Sequence, residues 1–321
     1  MSQGHILVIR GGAIGDFILT LPVLAALREN LPQARLEILA YPRVAPLAVA
    51  AGLAAAARSI EARPLAGFFA ARGSLDEELQ NYFASFAVIL SYLYDPDGIF
   101  QANIERCSRA QFIAGPHRPD ERDALHATDV FLKPLERLAI FDANPSPRLP
   151  LTSHLSPQPS LALHPGSGSE SKNWFESNWS QFLRALVRET NIPLLLIGGE
   201  AEGERLQRLT RDLPPGRFAL AENLPLVELA QRLAGCRAFL GHDSGITHLA
   251  AAVGLPGLVL WGPSNDAVWR PRSERMKILR GAPGLASLPV ANVLAGVKEM
   301  LAEAPPAENF SADGNGIRGG E

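Results

Sequence analysis

The sequence has few of the residues that stabilise small cross-linked or metal-bound domains. Its 321 residues include two cysteines, Cys107 and Cys236, which lie far apart and have no His or Cys at ligand spacing. This pattern indicates neither a disulfide framework nor a zinc site. Each cysteine is expected to pack as a small apolar residue.

The sequence also lacks a strong net charge and a long apolar run. The formal net charge is −3, so no nucleic-acid partner is predicted. The longest apolar stretch, residues 47–57, is too short to cross a bilayer, and the first residues do not resemble a secretory signal. We expect a cytoplasmic protein that can visit a membrane surface peripherally.

What the sequence does contain is an alternation of strands and helices. Residues 5–9 are a continuous apolar run, as in a buried parallel strand. A glycine-containing loop follows, then residues 17–29 with helical apolar spacing, then a strand at 36–40. This order predicts a βαβ unit. Residues 44–57 are predicted to be helical, and residues 86–90 and 110–115 to be strands.

A stretch rich in proline and serine at residues 144–160 predicts a linker, after which the alternation begins again. Strands are predicted at 161–164, 192–198, 237–240 and 258–261, and helices at 179–189, 200–213 and 226–234. We therefore predict an α/β fold of two Rossmann-like, doubly wound domains, 1–150 and 151–302, with a disordered tail at 303–321.

Three loops at predicted strand ends are candidate sites. The first, Gly11-Gly-Ala-Ile-Gly-Asp16, lacks the G-x-G-x-x-G spacing of dinucleotide-binding proteins, which argues against hydride transfer. Its glycines allow a close approach to the backbone. Asp16 either complements the dipole of the following helix or acts as a general base in a cleft between the domains.

The second loop runs from His164 to Trp174 and contains glycines, serines and Lys172. Lys172 is conspicuous because lysines are only four of the 30 basic residues. Hydroxyl and backbone donors beside a cation suit a diphosphate. The alternative is a flexible serine-glycine loop.

The third loop joins a predicted strand to an alanine-rich helix through Asp243, Ser244 and Gly245. Ligands bind where a strand end meets a helix N-terminus, so a phosphate is one interpretation and a simple helix cap is the other. Gly245 is expected to adopt a positive φ or to admit a ligand. His248, one turn later, either reaches the ligand or is structural.

Together these loops resemble glycosyltransferase family 9, the heptosyltransferases of lipopolysaccharide core assembly. The resemblance covers residues 5 to about 300. The matching motifs are Gly15-Asp16 with Leu21-Pro22, His164-Pro-Gly-Ser-Gly-Ser with Lys172 and Trp174, Gly198-Gly-Glu, and Asp243-Ser-Gly-Ile-Thr-His248 with Gly262-Pro.

The resemblance implies the GT-B architecture and an inverting, metal-independent transfer that needs no cofactor. The implied donor is a nucleotide-sugar, ADP-heptose being favoured, and the acceptor is a glycolipid or saccharide. Asp16 matches the general base, and Lys172 would also stabilise the departing diphosphate. The residues matched to the donor are Ser167, Gly168, Ser169, Lys172, Asp243, Ser244, Gly245 and His248, with Glu202 near the ribose contact and Leu224 near the base contact. Gly12 and Gly15 belong to the acceptor-side loop.

The acceptor is less well determined than the donor. Residues 1–155 contain 14 Lys and Arg against 16 Asp and Glu, so they form no broad basic surface for a phosphorylated lipid. Two alternatives remain: another nucleotide-sugar in O-antigen, capsule or protein glycosylation, and a nucleotide-sugar-binding protein without transfer activity.

Overall fold

The computed structural model describes residues 4–151, 159–199 and 202–303. The N-terminal half (4–151) contains five strands and five α-helices. They are β1 His5–Arg10, α1 Ile14–Asn30, β2 Arg35–Ala40, α2 Ala45–Ala50, β3 Ala56–Ser59, α3 Glu77–Ala84, β4 Val88–Ser91, α4 Ile99–Glu105, β5 Gln111–Ala114 and α5 Ala127–Leu132. Two 3₁₀ helices cover Arg63–Phe69 and Lys133–Leu138.

The C-terminal half (159–303) repeats the pattern. Its elements are β6 Leu161–His164, α6 Glu176–Glu189, β7 Leu194–Gly198, α7 Gly203–Thr210, β8 Phe218–Glu222, α8 Leu226–Ala234, β9 Ala238–His242, α9 Gly245–Ala252, β10 Gly257–Leu260, α10 Asp266–Trp269, β11 Met276–Leu279 and α11 Val290–Glu303. Short 3₁₀ helices cover Glu170–Lys172 and Leu285–Ser287.

Each half is organised around one sheet in which all strands are parallel. The strand orders are β3-β2-β1-β4-β5 and β11-β10-β9-β6-β7-β8. The predicted pair of Rossmann-like domains is therefore confirmed. In each sheet the strand order reverses at one position, between β1 and β4 in the first sheet and between β6 and β9 in the second. Ligands of doubly wound sheets bind at this switch point.

Several boundaries differ from the prediction. The helix expected over 44–57 ends at Ala50; Gly52 follows with φ +66°, and β3 then pairs with β2. Glu303, assigned to the disordered tail, is the last residue of α11, and the rest of the tail lies outside the described residues. Residues 152–158 of the predicted linker and residues 200–201 of a predicted helix also lie outside them.

The two halves share one apolar core. Buried side chains of α1, such as Ile18, belong to the same cluster as Leu249 of α9. The N–H of Leu149 donates to the carbonyl of Ala252 at 2.8 Å. None of the described helices has the length and apolar character needed to cross a membrane.

The contact between the two halves, and not a positive φ, explains why residue 245 is a glycine. Its φ is not positive. A Cβ at this position would lie 2.7 Å from the Cβ of Ile14 and 2.9 Å from the N of Gly15. Of the two roles predicted for Gly245, the positive φ is therefore wrong, and the close approach of a ligand stays a prediction. Glycine is required here for the N-termini of α1 and α9 to meet.

Candidate functional site

One cavity of about 640 Å³ lies between the halves, at both switch points. We call it the central cavity. Predicted residues contribute to it from both sides: Gly12, Gly15 and Asp16 from the N-terminal half, and Ser167, Lys172, Asp243, Ser244, Gly245 and His248 from the C-terminal half. The structure thus brings together most of the residues that the sequence singled out on three separate loops.

Asp16 lies in the first turn of α1 and both caps the helix and faces the central cavity. Its Oδ2 accepts a hydrogen bond from the N–H of Ala13 at 2.9 Å. Its Oδ1 lies 3.6 Å from Nη2 of Arg10, and the side chain is 27% exposed. The carboxylate is therefore held in place from two sides and still accessible from the cavity, so the capping role does not exclude a chemical one.

Arg10, which the sequence analysis did not single out, is buried beneath this carboxylate, with 1% of its surface exposed. Its Nη1 donates to the carbonyls of His117 at 2.9 Å and Tyr92 at 3.4 Å. Its guanidinium carbon lies 4.5 Å from the centre of the Phe131 ring. Burial lowers the pKa of Arg10, and Asp16 opposes that shift. A basic residue ending an otherwise apolar strand was the signal that could have identified it.

The third loop forms a helix cap at the cavity edge. The Oγ of Ser244 accepts a hydrogen bond from the N–H of Thr247 at 3.3 Å and lies 3.3 Å from Nδ1 of His164. The capping alternative is therefore correct in geometry. It is compatible with anion binding, since the first N–H groups of a helix have no carbonyl partner within it and carry the positive end of its dipole.

Lys172 and Asp243 form an ion pair that the sequence did not predict. Nζ of Lys172 donates to Oδ2 of Asp243 at 2.7 Å, with side chains 33% and 7% exposed. The loop before Lys172 is internally hydrogen-bonded, because the hydroxyl of Ser167 lies 2.8 Å from the carbonyl of Ser169 and 2.7 Å from Oδ1 of Asn173. Gly168 has φ +73°, which permits the turn.

Three buried histidines lie beneath the C-terminal side of the cavity. Burial lowers the pKa of His164 to about 3 and that of His242 to about 4. Burial also lowers the pKa of His248, and the nearby Asp243 opposes that shift. The N–H of Trp174 donates to Nε2 of His242 at 2.9 Å, so that ring is neutral with its proton on Nδ1. His248 thus lines the cavity as a neutral, buried ring.

The remaining predicted residues lie outside the central cavity. Gly168, Ser169 and Glu202 line a second cavity of about 490 Å³, together with Arg205 and other polar residues. Oε2 of Glu202 accepts a hydrogen bond from the N–H of Gly199 at 2.9 Å. Leu224 lines neither of these two cavities and is packed against the shared core.

A family model described as glycosyltransferase family 9 (heptosyltransferase) matches residues 126–288. The chain belongs to this family. Among curated relatives, Escherichia coli lipopolysaccharide heptosyltransferase 3 is 22% identical over 89% of this chain and 96% of its own length. Lipopolysaccharide heptosyltransferase 1 of Pseudomonas aeruginosa is 33% identical, but over only 41% of this chain and 33% of its own length.

Several solved structures have the same fold as this chain. A family 9 glycosyltransferase from Veillonella parvula has a TM-score of 0.77 at 17% identity, over 95% of this chain and 99% of that one. The ADP-heptose heptosyltransferase II of E. coli has a TM-score of 0.75 at 17% identity, over 93% and 99%. The predicted GT-B architecture is confirmed.

Two aspartates one residue apart, Asp95 and Asp97, follow β4, and paired carboxylates of this kind are candidate ligands for a divalent metal ion. The two carboxylate oxygens of Asp95 accept hydrogen bonds from the N–H groups of Phe100 at 3.1 Å and Gln101 at 3.0 Å. Asp95 therefore has a structural explanation as a cap at the start of α4.

The buried histidines predict that the enzyme loses stability on mild acidification. Between about pH 6.5 and 5 the unfolded chain protonates His164 and His242, whereas the folded protein keeps them neutral because their pKa values are about 3 and 4. The unfolded state then binds more protons, so the free energy of unfolding falls with falling pH, by about 1.4 kcal/mol per unit for each histidine. Urea unfolding across this range measures the slope.

Replacing His242 by Gln should reduce that slope. As a control, Phe83→Leu in the other half alters a buried aromatic cluster and should lower stability equally at every pH. An unchanged slope in His242→Gln would contradict the assignment of His242 as neutral.

Proposed function

We propose that this enzyme transfers a heptose, or a related sugar, from an ADP-sugar to a lipopolysaccharide-core-type acceptor, with inversion and without a metal. The observation that supports this most strongly is the central cavity itself. It joins an accessible carboxylate, Asp16, on one half to a helix N-terminus and a lysine, Lys172, on the other. A donor with a diphosphate and an acceptor with a reactive hydroxyl need these two opposite surfaces.

The C-terminal half is the proposed donor side. The N-terminus of α9, at Ser244 and Gly245, favours the negative diphosphate, and Lys172 lies at the same cavity edge. As the bond between the anomeric carbon and the phosphate oxygen breaks, its electron pair leaves on ADP, and these positive groups stabilise the new charge. Asp243 accepts a hydrogen bond from the ammonium of Lys172 at 2.7 Å, and its carboxylate would also bind sugar hydroxyls.

The N-terminal half is the proposed acceptor side. Asp16 takes the proton of the acceptor hydroxyl as its oxygen forms the new bond to the anomeric carbon, on the face opposite the departing ADP. Such an attack inverts the configuration. Arg10 and the N–H of Ala13 hold the carboxylate in one orientation for this step, while Gly12 and Gly15 leave space beside it.

The finer assignments belong to the same proposal. We assign the acceptor domain to 1–150 and the donor domain to 151–302. Ser167, Gly168 and Ser169 would contact the diphosphate, Glu202 the ribose and Leu224 the base, with His248 near the sugar. A glycolipid acceptor would place the enzyme at the inner face of the cytoplasmic membrane. An E. coli heptosyltransferase of the same fold, with a TM-score of 0.71, has been solved with ADP, which supports an adenine nucleotide.

Nucleotide-dependent thermal unfolding tests the donor assignment. ADP at 100 times its Kd should stabilise the protein by about 2.7 kcal/mol, because it binds only the folded state, whereas UDP should have little effect. ADP-heptose with a heptose-containing core oligosaccharide should then release ADP. Stabilisation by UDP and not by ADP would overturn the donor, and binding of ADP-heptose without transfer would favour a binding protein.

A further inference from the structure

The N-terminal side of the central cavity presents an aromatic surface. Tyr41, Tyr92 and Tyr94 all line it. Tyr92 is buried at 1% exposure and its hydroxyl donates to the carbonyl of Phe131, so it is structural. Tyr94 is 71% exposed and Tyr41 39% exposed. The rings of Tyr41 and Tyr94 therefore expose apolar surface inside a concave site, where a bound ligand could pack against them.

A chain of contacts connects Tyr94 to the carboxylate of Asp16. The ring centre of Tyr94 lies 4.7 Å from that of His117, and the carbonyl of His117 accepts a hydrogen bond from Arg10 at 2.9 Å. The same Arg10 lies 3.6 Å from Asp16. Leu93 packs against the Asp16 loop, since a Cβ on Gly11 would lie 3.3 Å from its Cδ2. The ring of Tyr94 and the carboxylate of Asp16 are thus both positioned through His117 and Arg10.

The charges that line the central cavity are matched in pairs. Arg10 lies beside Asp16 at 3.6 Å, and Lys172 is paired with Asp243 at 2.7 Å. Arg118 is paired with Glu121 at 2.8 Å.

Glu121 is also held by a second partner. The indole N–H of Trp269 donates to it, and this bond, followed by the one from Arg118, lowers the pKa of Glu121. On the N-terminal side of the cavity, where the acceptor is proposed to bind, the two lining arginines, Arg10 and Arg118, therefore already face carboxylates. An anionic sugar placed on Tyr94 would be repelled by the like charge of Asp16, and both arginines on this side of the cavity are already engaged.

We propose that Tyr94, supported by Tyr41, is the stacking surface for the acceptor's terminal residue, and that this residue is an uncharged pyranose. The inference rests on the proposed function and names the acceptor class for the same site. The weakly positive C–H groups on one face of a pyranose match the negative face of a tyrosine ring. A sugar stacked there presents its hydroxyls along the cavity wall that contains Asp16.

Acceptor kinetics of the full chain test this proposal, with ADP-heptose as donor and a methyl heptopyranoside or its phosphate ester as acceptor. Tyr94→Ala should raise the KM for the uncharged heptoside about five- to tenfold, with the Kd for ADP unchanged. Tyr94→Trp should keep KM near the wild-type value, because it preserves an aromatic face. The matched control is Phe141→Ala, which removes a ring that is 63% exposed and does not line the cavity.

The outcomes separate this inference from the proposed function. A wild-type enzyme that neither binds ADP nor releases it from ADP-heptose shows that the proposed function has failed. A wild-type enzyme that transfers, but prefers the phosphorylated acceptor or has the same KM after Tyr94→Ala, overturns the inference alone. Because Tyr94 is mostly exposed, its variants should keep the wild-type melting temperature, and Tyr94→Trp provides a second test if Tyr94→Ala does not.

Discussion

Asp16→Asn lowers kcat by about 100- to 10,000-fold, while the affinity for ADP stays within about twofold of wild type. The amide keeps the size of the side chain, and its oxygen can still accept the hydrogen bond that Ala13 donates at 2.9 Å. It has no basic oxygen to accept the acceptor's proton. Turnover with saturating ADP-heptose and acceptor, together with calorimetric binding of ADP, measures both quantities.

Asp76→Asn is the matched control for this variant. Asp76 also lies at a helix start, where its Oδ1 accepts a hydrogen bond from the N–H of Leu79 at 3.0 Å, and it does not line the central cavity. It should retain full activity. If Asp16→Asn also retained activity, Asp16 would be a helix cap only; if it lost ADP binding together with turnover, the residue would act on the donor or on the fold.

Lys172→Met should reduce kcat/KM for the donor by about 100- to 1,000-fold and destabilise the fold. The substitution removes the cation nearest to the proposed diphosphate. It also leaves Asp243, only 7% exposed, without its partner at 2.7 Å. Because Lys172 is partly solvated, the loss of stability should be modest, about 1–2 kcal/mol. Steady-state kinetics and urea unfolding measure the two effects.

A second substitution separates these two effects. In Lys172→Met/Asp243→Asn no buried charge is left unpaired, so stability should return while turnover stays low. Lys277→Met is the control, since Lys277 pairs with Glu299 and Glu303 on the surface and should change neither quantity by much. If the double variant recovered activity, Lys172 would serve only to neutralise Asp243.

The strands that lead into the site were predictable because they are buried along almost their whole length. β1, β6 and β9 are central in their sheets and are almost continuous apolar runs. Three edge strands, β3, β8 and β11, were missed. β3 and β8 are partly exposed along their length, and β3 and β11 have no apolar run long enough to distinguish them from a loop or helix.

The sequence by itself determined which local segments could bind and react. Three strand ends run into turns rich in glycine and small polar residues, and the residues of such a turn, as at Asp243 and Ser244, are neighbours along the chain. The periodicity that builds one half also restarts after residue 160, which was enough to predict two doubly wound domains.

Only the tertiary structure decided how these segments act on one another. The pairing of Lys172 with Asp243 and the contact of Gly245 with Ile14 join residues from different loops, and Arg10 beneath Asp16 donates to the carbonyl of the distant His117. The contacts within one half depend on which strands are neighbours in its sheet, and the contact of Gly245 depends on the approach of the two halves. Both are set by burial of apolar side chains and not by local propensity. The central cavity and its matched charges therefore could not be predicted from spacing along the chain.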